Sequence, residues 1–193
     1  MDAEHETAVG TALRTITDEL DSVVARLLAA DPASLDRVAD LVAASPRVFV
    51  LGAGRSGLAL QMTAMRFMHL GLTVHVVGEV TTPAITSGDL LLTASGSGTT
   101  SSILTAAETA VEVGAPVVAI TTAASSPLAA LATATIVVPA AGKQDRSETA
   151  SQQYAGGLFE QTVVLLGDAL FHALWKRSGA SADELWPRHS NLE

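Results

Sequence analysis

The sequence contains no cysteine, so it has neither a disulfide framework nor a thiolate metal site to offer. Aromatic residues are 4% of the 193, against 48% hydrophobic residues in all, so a core has to be built from alanine, valine and leucine. Basic residues are scarce: 11 Lys and Arg stand against 20 Asp and Glu, a formal charge of −9, and no local basic patch relieves it. Nucleic acid and anionic membranes are therefore not expected as partners. No run reaches the roughly 18 to 20 unbroken apolar residues of a membrane span. The opening MDAEHETAVG is acidic and lacks the basic-then-apolar layout of a secretory leader. These absences set the expectation of a cytoplasmic protein, and the length suits one domain with a sizeable core.

What is present alternates. Residues 5–30 carry apolar residues at helical spacing, and Asp31-Pro32 ends that helix and starts another to about Ala44. Apolar runs rich in β-branched residues follow at RVFVLG (47–52), TVHVVG (73–78), DLLLTAS (89–95), PVVAIT (116–121) and TATIVVPA (133–140). Between them lie helical stretches, LALQMTAMRFMHLG (58–71) and SSILTAAETAVEVG (101–114), with a short one near 126–132. The strands are continuous apolar runs rather than alternating ones, as expected where helices cover both faces of a parallel sheet. The expected architecture is α/β, a three-layer α/β/α sandwich with a parallel sheet. N-terminal helices occupy 1–45, the α/β core 46–141, a polar loop 142–157, and a long helix with a C-terminal tail 158–193. All of it reads as a single domain.

Two loops sit at the carboxyl ends of predicted strands, where open α/β sheets bind ligands. The first, GAGRSG (52–57), matches G-x-G-x-x-G, and Glu79 stands at about the distance of a ribose-binding acid. A bare glycine fingerprint is weak evidence for a dinucleotide, and little chain remains for a separate catalytic domain. The second, SGSGTT (95–100), precedes a helix whose first-turn amides favour an anion. Ser95, Ser97, Thr99 and Thr100 add hydroxyls, while Gly96 and Gly98 let the backbone close around oxygen atoms. A helix cap needs one such residue, whereas four hydroxyls and two glycines suit a phosphate monoester.

The pairing of GAGRSG with SGSGTT resembles the sugar isomerase (SIS) domain family. AMRFMHLGLTVHVVGEVTTPAI (64–85), QQYAGGLFEQ (152–161) and the ending RHSNLE (188–193) are similar to its 6-phospho-3-hexuloisomerase branch. That resemblance covers the chain from about residue 10. It implies a five-stranded sheet and a homotetramer with sites near subunit interfaces. It also implies a reaction, the interconversion of hex-3-ulose 6-phosphate and fructose 6-phosphate in the ribulose monophosphate pathway of formaldehyde fixation. Two departures stand out: Thr99 where many such loops have Glu or Arg, and QQYA where relatives often have Gln-Pro-Met. A phosphoheptose isomerase or a non-catalytic sugar-phosphate module of the same fold are the alternatives.

Moving a carbonyl between adjacent carbons needs one base to shuttle a proton through an enediolate, and no metal or redox cofactor is called for. Glu160 is the candidate. It lies early in a helix apolar around most of its circumference, so its carboxylate should be partly desolvated; the alternative is an ordinary charge at a helix N-terminus. His189, in a tail that would ordinarily fray, is the second catalytic candidate by resemblance, moving protons among sugar oxygens. Gly52, Gly54, Arg55 and Ser56 join residues 95–100 as expected substrate-binding residues. His69 and His75 read as packing or surface residues, His172 as core or interface, and His5 as solvated. None of these spacings makes a metal site.

Overall fold

The computed structural model describes residues 7–142, 145 and 151–192. Thr7 caps the first helix, α1 (Ala8–Ala30), by accepting from the Gly10 amide at 3.1 Å. Asp31 then caps α2 (Pro32–Ala44), with Pro32 in the first turn, where its missing N–H costs nothing. The remaining elements are β1 (Arg47–Gly52), α3 (Arg55–Leu70), β2 (Thr73–Val76), β3 (Leu90–Ala94), α4 (Ser101–Glu112), β4 (Val117–Thr121), α5 (Pro127–Leu131), β5 (Ala134–Val137), α6 (Gly157–Ser178) and α7 (Ala182–Leu185), followed by a 3-10 turn over Trp186–Arg188.

The five strands are parallel, in the order β2-β1-β3-β4-β5. Alternation along each strand explains why these strands are apolar throughout. Val48, Val50, Leu90, Leu92, Val118 and Ile120 join the core beneath α1, α2, α3 and α6. Phe49, Leu91, Val117 and Ala119 point the other way, against Ile103 and Ala107 of α4 and Leu128 of α5. The expected strand over 73–78 is shorter, because Val77 and Gly78 leave the sheet in a turn. Within the expected loop 142–157, Lys143, Gln144 and residues 146–150 lie outside the described residues, as does His5. No helix among the described residues is long and apolar enough to cross a membrane.

Strand order reverses between β1 and β3. α3 leaves β1 on one face and α4 leaves β3 on the other, while Gly52 and Ala94 stay paired at the ends of the two strands. A crevice outside the carboxyl edge follows from that divergence. α6 completes it by running alongside α3 in the same direction. Arg55 meets Glu160, Thr63 meets Gly167, and Arg66 comes within 3.9 Å of Asp168. The N-termini of α3, α4 and α6 therefore converge on one edge of the sheet.

Candidate active site

A cavity of about 430 Å³ occupies that crevice. Ser95, Gly96, Ser97, Thr99 and Thr100 form one wall, Ala53 and Ser56 the entrance to α3, Phe159 the floor, and Gly156 and Glu160 the other wall. The hydroxyl loop and the acidic side chain, 60 residues apart, thus face one another across a single space.

The hydroxyl wall is built from its own contacts outward. Ser95, 4% exposed, lies 3.0 Å from Thr100 through the two hydroxyls. Thr100 is the N-cap residue of α4 but makes no side-chain cap bond, so its hydroxyl serves the loop rather than the helix end. Ser97 Oγ accepts from the Thr99 amide at 3.2 Å and the Thr99 hydroxyl at 2.9 Å, which leaves its own proton free to donate. Gly98 has φ +61°, and a Cβ there would run into the Ser126 hydroxyl, so both conformation and space demand glycine.

The loop is also pegged from outside, by residues that spacing in the sequence did not single out. The Gly96 carbonyl accepts the Thr122 amide at 3.0 Å, the Thr122 hydroxyl at 2.8 Å and the Thr121 hydroxyl at 3.1 Å. A peptide plane is rigid, so turning that carbonyl toward β4 turns the following N–H, that of Ser97, away from β4. The Gly98 carbonyl is held likewise by the Leu128 amide at 3.1 Å. These contacts set the loop's amide directions before any ligand arrives.

On the opposite wall, Glu160 stands in the first turn of α6. Its side chain is 20% exposed, and Oε2 lies 2.9 Å from Arg55 Nε. The expected partial desolvation is accompanied by a guanidinium partner. Phe159 lies over Gly96, 3.5 Å from where a Cβ would stand, and gives the cavity an apolar floor. Gly52 does not line the cavity; it packs against Gly57, and a Cβ on it would come 2.8 Å from the Gly57 amide nitrogen. Gly54 forms the turn into α3, and Glu79 is exposed in the turn after β2, away from the cavity.

His189 is placed elsewhere within its own chain. The tail turns back through α7 onto the far end of α3, where the Arg188 guanidinium donates to the His69 carbonyl at 3.4 Å and the Glu184 carbonyl at 3.1 Å. The His189 ring stacks on His69 with centroids 4.0 Å apart and lies 4.8 Å from Trp186. Residues 55 and 69 are fourteen positions apart on one helix, roughly 21 Å along its axis. His69 is 5% exposed, and its Nδ1 is buried without a partner. Burial, then the neighbouring His189 and Arg66, push its pKa below the ordinary histidine value.

Comparison with known proteins supplies the family. The SIS domain model matches residues 41–153, more than half of the chain, including both loops. The 3-hexulose-6-phosphate isomerase of Mycobacterium gastri is 51% identical over 181 residues, which make up 94% of this chain and 89% of that protein. The Bacillus subtilis protein of the same name is 38% identical over 82% of this chain and 86% of its own. A Methanococcus jannaschii protein, whose crystal structure was taken to infer the same molecular function, superposes with a TM-score of 0.82 at 29% identity, over 95% of this chain and 99% of that one. The chain belongs to the SIS domain family, among its hexulose-6-phosphate isomerases.

Proposed function

We propose that the protein interconverts D-arabino-hex-3-ulose 6-phosphate and D-fructose 6-phosphate. The observation that carries this reading is the placement of a hydroxyl-and-amide loop and a carboxylate on facing walls of one cavity. The 6-phosphate occupies the loop at 95–100, where N–H and O–H donors replace its water shell. Glu160 then takes the proton from C2, next to the C3 carbonyl, and the electrons move into an enediolate. The same carboxylic acid returns a proton to C3 while the hydroxyl proton passes from O2 to O3, leaving the carbonyl at C2. Arg55, 2.9 Å from Glu160, orients the carboxylate and is a donor for the developing oxyanion. Phosphate and reacting carbons are separated along the sugar, which is why the anchor and the base lie on different elements.

His189 acts, in this reading, in the site of a neighbouring copy, within a homotetramer of single-domain chains. Leu58, Met62 and Met65 are 60%, 54% and 59% exposed and line one stripe of α3 between its site end and its tail-bearing end. Two α3 helices packed antiparallel through that stripe would bring the tail of each chain beside Arg55 and Glu160 of the other. The step belongs to the ribulose monophosphate pathway of formaldehyde fixation. Supplying 3-hexulose 6-phosphate, made by coupling formaldehyde to ribulose 5-phosphate, and following fructose 6-phosphate tests the reading. Turnover with this ketose and none with sedoheptulose 7-phosphate is expected. A folded sample without turnover would contradict it.

A further inference from the structure

We propose that Glu19, on the N-terminal helix α1, is a positioning residue for the base: its carboxylate clamps residues 151–153 and thereby fixes the first turn of α6. The proposal rests on the reading of Glu160 as the base.

Both carboxylate oxygens of Glu19 are used. Oε1 accepts the Gln152 amide at 2.6 Å; Oε2 accepts the Ser151 hydroxyl at 2.8 Å and Gln153 Nε2 at 3.0 Å. Ser151, 8% exposed, passes the constraint on, because its Oγ accepts the Gln153 amide at 3.0 Å. Gln153 in turn lies along the start of α6, with Oε1 3.3 Å from the position of a Cβ on Gly157. Glu160 follows within the same turn, its Oε1 3.8 Å from the Cβ position of Gly156. The clamp on residues 151–153 thus reaches the glycines that open α6, one turn before the base.

Leu158 and Phe159 are anchored in the core and Arg55 pairs with Glu160, but the entry to α6 before them is weakly secured. Its N-cap, Gly156, offers no side-chain bond. Ala155 sits at φ +52°, a region that residues with a Cβ rarely adopt, and Tyr154 is 96% exposed. A strained, uncapped entry to a helix keeps its shape only where its surroundings impose it. Burial opposes a charge on Glu19, but the donors from Gln152, Gln153 and Ser151 outweigh it and hold its pKa below the ordinary glutamate value. The clamp is thus made of charge-assisted bonds at neutral pH. The hydroxyl loop at 95–100 receives nothing from Glu19, since β4 and α5 hold it.

That separation defines the test. In the full chain, Glu19→Gln should lower kcat for fructose 6-phosphate by about tenfold or more. KM and the inhibition constant of inorganic phosphate should stay within about twofold, and the backbone amide of Gln152 should exchange with solvent about tenfold faster. Gln153→Met, which removes one donor but keeps the stem, should shift kcat in the same direction. The double variant should fall short of the summed effects. If Glu19→Gln does not fold, Gln153→Met carries the test alone. Unchanged kcat overturns the proposal, as does a parallel deterioration of kcat, KM and phosphate inhibition, which would mean simple loss of structure. Glu160→Gln, assayed beside them, separates the two claims: normal turnover there removes the base itself rather than the clamp.

Discussion

Glu160 and Arg55 define what single residues contribute. Their 2.9 Å contact joins the first turn of α6 to the first turn of α3, so the carboxylate is aimed by a group on a different helix. A planar guanidinium holds direction in a way that an ammonium does not. Arg55→Lys should therefore lower kcat about tenfold with a smaller change in KM, by steady-state kinetics. Thr122 shows the complementary case. Its hydroxyl never needs to touch substrate, yet it helps hold the Gly96 carbonyl. Thr122→Val removes one such bond, worth about 1 kcal/mol, so KM should rise about fivefold with kcat nearly unchanged. Thr122→Ser should restore it. A fall in kcat at constant KM would show that the loop positions chemistry rather than phosphate.

Elements bring these residues together, and the α3–α6 pairing matters most. Gly167 lets α6 lie directly on α3: a Cβ there would press into the Thr63 hydroxyl, which is already bonded to the Ala59 carbonyl in its own helix. Gly167→Ala should cost about 1–3 kcal/mol of overpacking, read as a lower midpoint in urea unfolding. Unchanged stability would mean that the two helices separate freely. Much of this scale was legible in the sequence. Continuous apolar strands separated by helical stretches specify a two-sided parallel sheet, and both candidate loops at the strand ends stand out through glycine and hydroxyl density. What escaped notice was long-range. Thr122 meets Gly96 across 26 positions, and Glu19 meets Gln152 across 133. Local spacing carries no trace of such pairs, since polar residues in loops and on helix faces ordinarily face water. His189 illustrates the same limit: a motif in the tail does not say which end of α3 the tail reaches.

At the scale of the molecule, the sheet is pinned at the edge opposite the cavity. Arg47 at the start of β1 pairs with Asp89 before β3, with Nε 2.8 Å from Oδ1, and Thr86 donates to the same carboxylate through its amide and hydroxyl. Asp89 has a side chain only 2% exposed. The hydrogen bond from Arg47 comes first among the causes that lower its pKa from 3.8 to about 2, against the opposing effect of burial. The folded value is the depressed one, so the stabilisation is complete above the ordinary aspartate range and is lost as pH falls through about 2. Asp89→Asn should lower the melting temperature at pH 7 and narrow the difference from the parent as pH falls toward 2. His69 has the reverse chemistry but the same direction. Its neutral form is favoured in the folded chain, so acid below about 6.5 draws the protein toward states in which the ring is exposed. Docking of the tail, followed through Trp186 fluorescence, should weaken between pH 7.5 and 5.5.

The central claim is that one carboxylate moves a proton between two adjacent carbons while the phosphate is held elsewhere. Incubating fructose 6-phosphate with the protein in deuterated water and following the C3 hydrogen by proton magnetic resonance tests it most directly. The parent should exchange that hydrogen for deuterium. Glu160→Gln should lose at least about a hundredfold in exchange rate while inorganic phosphate still binds. Exchange by Glu160→Gln at the parental rate would contradict the account and place the base elsewhere.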